Sequence, residues 1–565
     1  MISQIKSSER PLVKDSRWQI LTKPWRFLII TILVIGILFR FTNLDHKAYW
    51  WDEVVNSIHS AGYSKQDFDH QVEAWKGRDL TIEDLHQYQY PTSQTTSLDV
   101  IRALAEGEPQ SPPIYYLLSR WWMQLFGSSV AVQRSLSAVI SLLAFPSMYW
   151  LCLELFGSSL AAGIGVMLIA SSPFHLLFAQ EVRMYVLWTV TILISSACLL
   201  RAIRLQRKRD WVIYTASLII SFYTYPFSIL VAVSHGIYVT VNEFPKFLGA
   251  IDRSRNTWIK VTKTFSNYLM ALIISIIIYV PWIVLLTQID DTKMSAWRQK
   301  TISLSELLKN WLFQTPLIFV DLNSQYLGSN GIENFYDPLS FYPMIFIWIF
   351  ILFSFYFLVR NSPQQLWSFI LPLILTTALA LALPDIITGG IRSAVPRYLI
   401  PCYVGIELSI VNLIYSRITP QSAKVFTTRI WQLFLAIFLS LGIISCSLII
   451  SSSSWWNKSI NFQNVPIAEI INSTEKPLIL TPQDLSISLI SISHHLTNKA
   501  IIRLIDQPDV AQESPKFSTQ FLLNYPQSWL DSIKKEHKLK LEKIYQGESV
   551  EDPVSKLNFS LVRIL

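Results

Sequence analysis

About a dozen apolar stretches, many close to the 20 residues that span a bilayer, run through residues 25–450 of this chain. Inside lipid no water meets a backbone N–H or C=O, so a crossing segment closes its hydrogen bonds internally, as a helix. The composition agrees. Hydrophobic residues make up 51% and charged residues only 15%, with a mean hydropathy of +0.35. A soluble domain carries about 25% charged residues. The chain therefore reads as a polytopic α-helical membrane protein. Its net charge of +8 does not point to nucleic acid, because much of the basic excess sits in short loops between apolar segments, where it sets orientation.

The basic loops give a path. Lys6, Arg10, Lys14, Arg17 and Lys23 precede the first span, Trp25 to Leu44, and Arg26 stands at its start, which places residues 1–24 in the cytoplasm as an N-terminal tail. The long apolar run after that basic start reads as a retained helix and not as a cleaved leader. Residues 45–112 are then an outer loop, and Arg201, Arg204, Arg207, Lys208 and Arg209 are cytoplasmic again. Four apolar segments lie between (113–126, 134–156, 158–178 and 183–204), yet an odd number of crossings is required. Either 113–126, too short as a helix, or 158–178, interrupted near Pro173, fails to cross fully. Further segments at 211–225, 227–243, 266–288, 341–359, 366–383, 398–416 and 430–450 bring the total to about 11 crossings. Membrane domain 25–452 is followed by 453–565, where short hydrophobic runs alternate with polar turns. Strands at Leu478–Thr481, Ala500–Ile505, Thr519–Leu523, Leu539–Tyr545 and Phe559–Leu565, with helices near 484–496 and 527–536, give a small extracytoplasmic α/β domain. The four cysteines fall in apolar segments and read as packed thiols.

Ionisable residues at the edge of a span are expensive and mark candidate sites. Asp52 and Glu53, directly past the first span and flanked by Trp50 and Trp51, lie where a lipid-linked substrate meets water. A carboxylate there can act as a general base; the plainer reading is a cap on a helix starting near Val54. Gln180-Glu181-Val182-Arg183-Met184-Tyr185 sits at the outer end of the helix that leads to Arg201. Glu181 and Tyr185 are four apart and share a helix face, so Glu181 can orient a sugar or acceptor and Arg183 can bind phosphate. Arg392 and Arg397 reach the same face, and a guanidinium fork suits a phosphate. Tyr115 and Tyr116 follow the paired prolines that open a helix. The histidines show no metal-ligand spacing.

In order along the chain, the Asp-Glu pair, Pro112-Pro113-Ile114-Tyr115-Tyr116, Leu125-Phe126-Gly127, Arg134-Ser135-Leu136-Ser137, Leu155-Phe156-Gly157, Gln180 to Tyr185, Tyr223-Thr224-Tyr225 and Arg397-Tyr398-Leu399-Ile400-Pro401 resemble the membrane glycosyltransferases of the GT-C superfamily. The nearest branch is glycosyltransferase family 39, with the protein O-mannosyltransferases and the lipid A aminoarabinose transferases. The resemblance covers about 25–410. It implies an inverting transfer of a hexosyl or pentosyl group from a polyprenyl-phosphate donor to a protein, lipid or glycan acceptor at the outer face of a plasma or inner membrane. On that analogy Asp52 matches the catalytic acidic residue of the first outer loop and Glu53 its acidic neighbour, while Glu181, Arg183, Tyr185, Tyr115, Tyr116, Arg392 and Arg397 bind substrate. No cofactor is implied, although part of the wider superfamily uses a divalent metal, which stays open here. Ser111 stands where family members often have His or Lys, and Tyr225 where His is common. The alternative reading is a transporter or flippase of lipid-linked glycans. That reading predicts an internal repeat, and none is visible.

Overall fold

The computed structural model describes residues 21–250, 255–288, 302–322, 338–419, 425–482, 486–506, 517–525, 527–533, 540–551 and 556–564. Most of the expected N-terminal tail, and much of the outer loop expected after residue 288, lie outside the described residues.

The chain is a polytopic helical membrane protein with a small C-terminal α/β domain. Among the described residues eight helices are long and apolar enough to cross a bilayer, or nine if one bent pair counts as a span. Helices Lys208–Phe222 and Ser228–Ala250 occupy the two further segments expected to cross. The solvent for these helices is lipid, so apolar side chains also face outward. Phe27, Ile30, Val34 and Leu38 line the open side of the first helix, Lys23–Phe41. Two spans are central instead: in their most apolar 18-residue windows, 83% of the residues of Tyr185–Leu205 and 89% of those of Pro396–Ile418 are buried. Both begin with site residues, so the most buried spans carry the candidate chemistry.

The ambiguity among the four early segments is settled by the ends of the helices. Val130–Phe156 runs the length of the bundle. Arg134, near its start, contacts Glu53, whereas Glu154, near its end, pairs with Arg204 at 2.7 Å at the opposite end. The 13-residue helix Ile114–Phe126 has both ends at the Asp52 end of the bundle. The Ile114 N–H donates to the Tyr223 carbonyl at 3.4 Å, and the Trp122 indole donates to the Val132 carbonyl at 3.1 Å. It therefore lies along that end and does not cross. Ser159–Ala170 and Pro173–Ala179 are the broken crossing, bent by 62°. Proline lacks an N–H and ends the first helix. The carbonyls freed by the break are taken up by buried Arg40, which donates to Ile169 at 3.0 Å and Ala170 at 3.4 Å. Gly36 makes room for this approach, since a Cβ there would sit 2.6 Å from the Ala170 carbonyl oxygen.

The four cysteines are buried and free, as expected. The C-terminal segment forms β1 (Pro477–Pro482), β2 (Ile501–Ile505), β3 (Thr519–Leu523), β4 (Leu541–Glu551) and β5 (Lys556–Ile564), in the order β2-β1-β3-β5-β4. The β1–β2 and β1–β3 pairs are parallel, and the two pairs of β5 are antiparallel. Alternation splits β1 between two apolar layers. Leu478 and Leu480 pack with Trp529 and Ile533, while Ile479 faces the main core.

This domain is bound to the loop between the first two spans. Leu80 pairs antiparallel with Ile502, extending the sheet past β2. Lys76 pairs with Asp506, and the Arg503 guanidinium donates to Asp79 at 2.9 Å. Three imidazoles lie in the same seam. His86 and His494 stack at 4.1 Å with planes 16° apart, and the His495 Nε2 accepts the Tyr49 N–H at 3.3 Å. Burial lowers the pKa of all three, His86 and His495 to about 4. An unfolded imidazole titrates near about 6.5. Between those values the unfolded chain binds protons that the folded seam refuses, so stability is lost as pH falls through that window. The melting temperature of the purified protein should therefore drop from about pH 6.5 to about pH 4.5, and drop less in His494→Gln. An unchanged pH dependence in that variant would remove His494 from the effect.

Candidate active site

Helix Trp51–Ala61 begins where the first span has ended, and its first turn holds both acids. Negative charge is favourable at a helix N-terminus. The two carboxylates nevertheless have opposite environments, because successive helix positions point about 100° apart.

Glu53 points inward and is fully buried. It accepts from Arg134 Nε at 2.8 Å and Nη2 at 2.7 Å, from Lys458 Nζ at 2.9 Å, from the Val182 N–H at 3.0 Å and from the Trp50 N–H at 3.3 Å. Burial raises its pKa, but the Arg134 and Lys458 charges outweigh that and hold it well below the usual carboxylate range. Arg134 also donates to the carbonyls of Leu44, Lys47 and Ala48, fixing the chain between the first span and the acidic helix. Glu53 is thus a cap and an ion-paired pivot. It does not line the cavity described next.

Asp52 points the other way, with 29% of its side chain exposed. It opens into a cavity of about 570 Å³. Of the residues singled out in the sequence, Asp52, Arg183, Tyr185, Arg392 and Arg397 line it. Leu286, Ala380 and Leu381 from membrane helices line one part, and Glu108, Gln110 and Ser111 line another. Tyr185, Tyr225, Phe227 and Tyr398 supply an aromatic wall. Tyr225 packs edge-on to Tyr185 with centroids 5.7 Å apart.

The electrostatics are unbalanced. Asp52 Oδ2 lies 3.4 Å from Arg183 Nη2 and 3.8 Å from Arg397 Nη2. One carboxylate therefore serves two guanidiniums, both beyond the roughly 2.7–2.9 Å of a close charge-assisted bond. The Nε atoms of Arg183 and Arg397 are buried without a hydrogen-bond partner. Arg397 rests instead on the rings of Trp50 and Tyr398, each 5.6 Å from its guanidinium carbon, and on Tyr185 at 5.8 Å. Aromatic faces hold a cation in place without consuming its donors. Arg392 differs, because Asp385 already pairs with it at 3.1 Å.

Glu181, Tyr115 and Tyr116 are buried outside the cavity lining. Glu181 Oε2 accepts from Asn457 at 3.3 Å and its Oε1 has no partner. Burial raises its pKa against the pull of Lys458. The Tyr115 hydroxyl lies 2.6 Å from Ser137 Oγ, which pins the helix that does not cross. Arg134, Lys458, Glu108 and Gln110 are the functional candidates that sequence reasoning missed. Arg134 stood in a quoted motif without a role. Lys458 carried no signal, as it is 405 positions from its partner Glu53. Among the described residues no group of three or more His, Cys, Asp and Glu converges as a metal site.

No family model matches the chain, and no curated protein matches it. Solved structures do. The archaeal oligosaccharyltransferase AglB from Archaeoglobus fulgidus, in complex with an inhibitory peptide and a dolichol-phosphate, aligns at a TM-score of 0.43 and 13% identity, over 84% of this chain and 64% of that one. This chain thus spans less than two thirds of the archaeal enzyme's length. ArnT from Cupriavidus metallidurans bound to undecaprenyl phosphate aligns at 0.46 and 12% identity, over 96% and 98%. The arabinosyltransferase EmbB from Mycobacterium smegmatis aligns at 0.35 and 9% identity, over 87% and 42%. Likenesses this distant name neither donor nor acceptor, and the functional reading rests on the site.

Proposed function

We propose that this protein is an inverting glycosyltransferase of the family 39 type, which moves a hexosyl or pentosyl group from a polyprenyl-phosphate donor to an acceptor. The reaction takes place at the outer face of a plasma or inner membrane, with the N-terminus cytoplasmic and the C-terminal domain outside. The observation that carries the reading is the pair Arg183 and Arg397, one buried and one partly exposed guanidinium, each with a buried Nε donor left without a partner, that share Asp52 at long range in a cavity lined partly by membrane helices. A lipid-borne anion fits such a place, since its phosphate meets the arginines while its chain stays among apolar side chains.

The same geometry supplies a mechanism. While the arginines face Asp52, its carboxylate is engaged by both of them. An arriving phosphate offers more acceptor oxygens and draws both guanidiniums to itself, leaving Asp52 free. Asp52 then takes the proton of the acceptor O–H or N–H as that atom attacks the anomeric carbon. The bond from carbon to phosphate oxygen breaks, its electron pair stays on the phosphate, and the arginines stabilise the charge that develops there. No cofactor enters this scheme.

Purified protein incubated with a panel of polyprenyl-phosphate sugars and a lysate-derived acceptor mixture should release polyprenyl phosphate. Absence of release with every donor would overturn the reading. Arg397→Ala should weaken binding of polyprenyl phosphate about tenfold or more, and Arg397→Lys should recover only part of it, because an ammonium lacks the fork. Unchanged affinity in the alanine variant would take Arg397 out of the site.

A further inference from the structure

The cavity has a second polar edge that the phosphate chemistry does not use. Residues 108–111 form a tight turn, in which the Ser111 N–H donates to the Glu108 carbonyl at 2.8 Å. The turn is held from both sides. The Glu108 N–H caps the preceding helix by donating to the Leu104 carbonyl at 2.9 Å. The buried Trp282 indole, on the span Lys263–Thr287, donates to the Pro109 carbonyl at 2.7 Å. Two prolines, Pro112 and Pro113, follow and stiffen the exit. A turn fixed in this way holds its side chains at defined places on the cavity wall.

Those side chains present acceptors. The Glu108 carboxylate lines the cavity, with the Ser111 hydroxyl as a weak donor at 3.4 Å, and it lies near enough to Arg183 to act on its charge. The Gln110 Oε1 is buried without a partner and also belongs to a lining residue. A buried carbonyl oxygen left unpaired costs about 1–3 kcal/mol, which a ligand donor can recover. The cavity therefore offers donors at Arg183 and Arg397, with Asp52 beside them, further acceptors at Glu108 and Gln110, and an aromatic wall.

We infer that the turn Glu108–Ser111 is the sugar-reading edge of the cavity and selects donors whose transferred ring presents hydroxyl hydrogens to Glu108 and Gln110. The inference rests on the glycosyltransferase reading above. The sugar, and not the acceptor, is the group read, because the anomeric carbon is one bond from the phosphate oxygen and Glu108 lines the same cavity as the arginine that holds the phosphate. The aromatic rings suit the C–H face of the same ring.

The test uses the full-length protein in detergent with polyprenyl phosphates that carry a hexose, its 6-deoxy analogue and a pentose. The unaltered protein should show distinct kcat/KM values for the three. Glu108→Gln should shrink the ratio between hexose and deoxy analogue about 10- to 100-fold, the loss typical of one hydrogen bond to a charged group. Gln110→Ala should change the ranking in a smaller, separate way, and serves if Glu108→Gln does not fold. Neither change should weaken binding of bare polyprenyl phosphate, since neither removes a positive charge. Ratios unchanged in both variants overturn this inference and leave the parent reading standing, as does a shift seen only in the KM of the acceptor. No turnover of any donor by the unaltered protein overturns both.

Discussion

Replacing Asp52 with Asn should slow sugar transfer on the order of 10²–10⁴-fold, the range for removal of a general base. Asparagine keeps the shape and reach of the side chain but cannot take a proton. Donor binding should survive, and even tighten modestly, because Arg183 and Arg397 lose the carboxylate that now competes for them at 3.4 and 3.8 Å. The split between a large fall in kcat and an unweakened affinity for polyprenyl phosphate is what marks a base, as opposed to a binding group. Near-normal transfer by a folded Asp52→Asn protein would end the assignment.

Glu53→Gln should act in another way, through the fold. Its carboxylate is the counter-charge for Arg134 and Lys458, all three buried. Breaking a buried pair by removing one partner costs about 3–5 kcal/mol, because the remaining charge is stranded. Here one substitution strands two cations. The loss should appear as a lower melting temperature and, since Glu53 adjoins Asp52 in the first helical turn, as reduced turnover at temperatures where the protein is still folded. Lys458→Met in the same background should cost less than it does alone, as expected for residues that share one network. Equal melting temperatures for Glu53→Gln and the unaltered protein would show that the triad contributes nothing. The same experiment tests whether the C-terminal domain steadies the acidic helix, since Lys458 comes from its first turn after the last span.

Much of this protein was readable as a string. The bilayer acts as a uniform solvent, so a local run of apolar side chains is enough to specify a helix, and short apolar runs between polar turns mark the strands. The strand expected at Thr519–Leu523 occurs with those bounds, and the helix expected near Val54 starts at Trp51. Asp52, Arg183, Arg392 and Arg397 were legible because charge at the edge of a span is costly and needs a reason, and Tyr185 through its spacing from Glu181. That they surround one cavity was implied by the shared side of their loops.

The tertiary structure decided what depends on partners distant in the chain. Asp52 and Glu53 look alike in sequence, yet Glu53 meets Arg134 across 81 positions and Lys458 across 405, while Asp52 meets the cavity. Arg392 and Arg397 are equivalent arginines until Asp385 is seen to neutralise the first. Helix Ile114–Phe126 is apolar enough to be mistaken for part of a crossing, and only the positions of its two ends show that it lies along the bundle. Periodicity and hydropathy are properties of neighbours in the chain, and they determine which segments become helices or strands and which end of the bundle a loop shares. Charge pairing and burial are properties of neighbours in space, and they alone determine which of two adjacent carboxylates remains free to react.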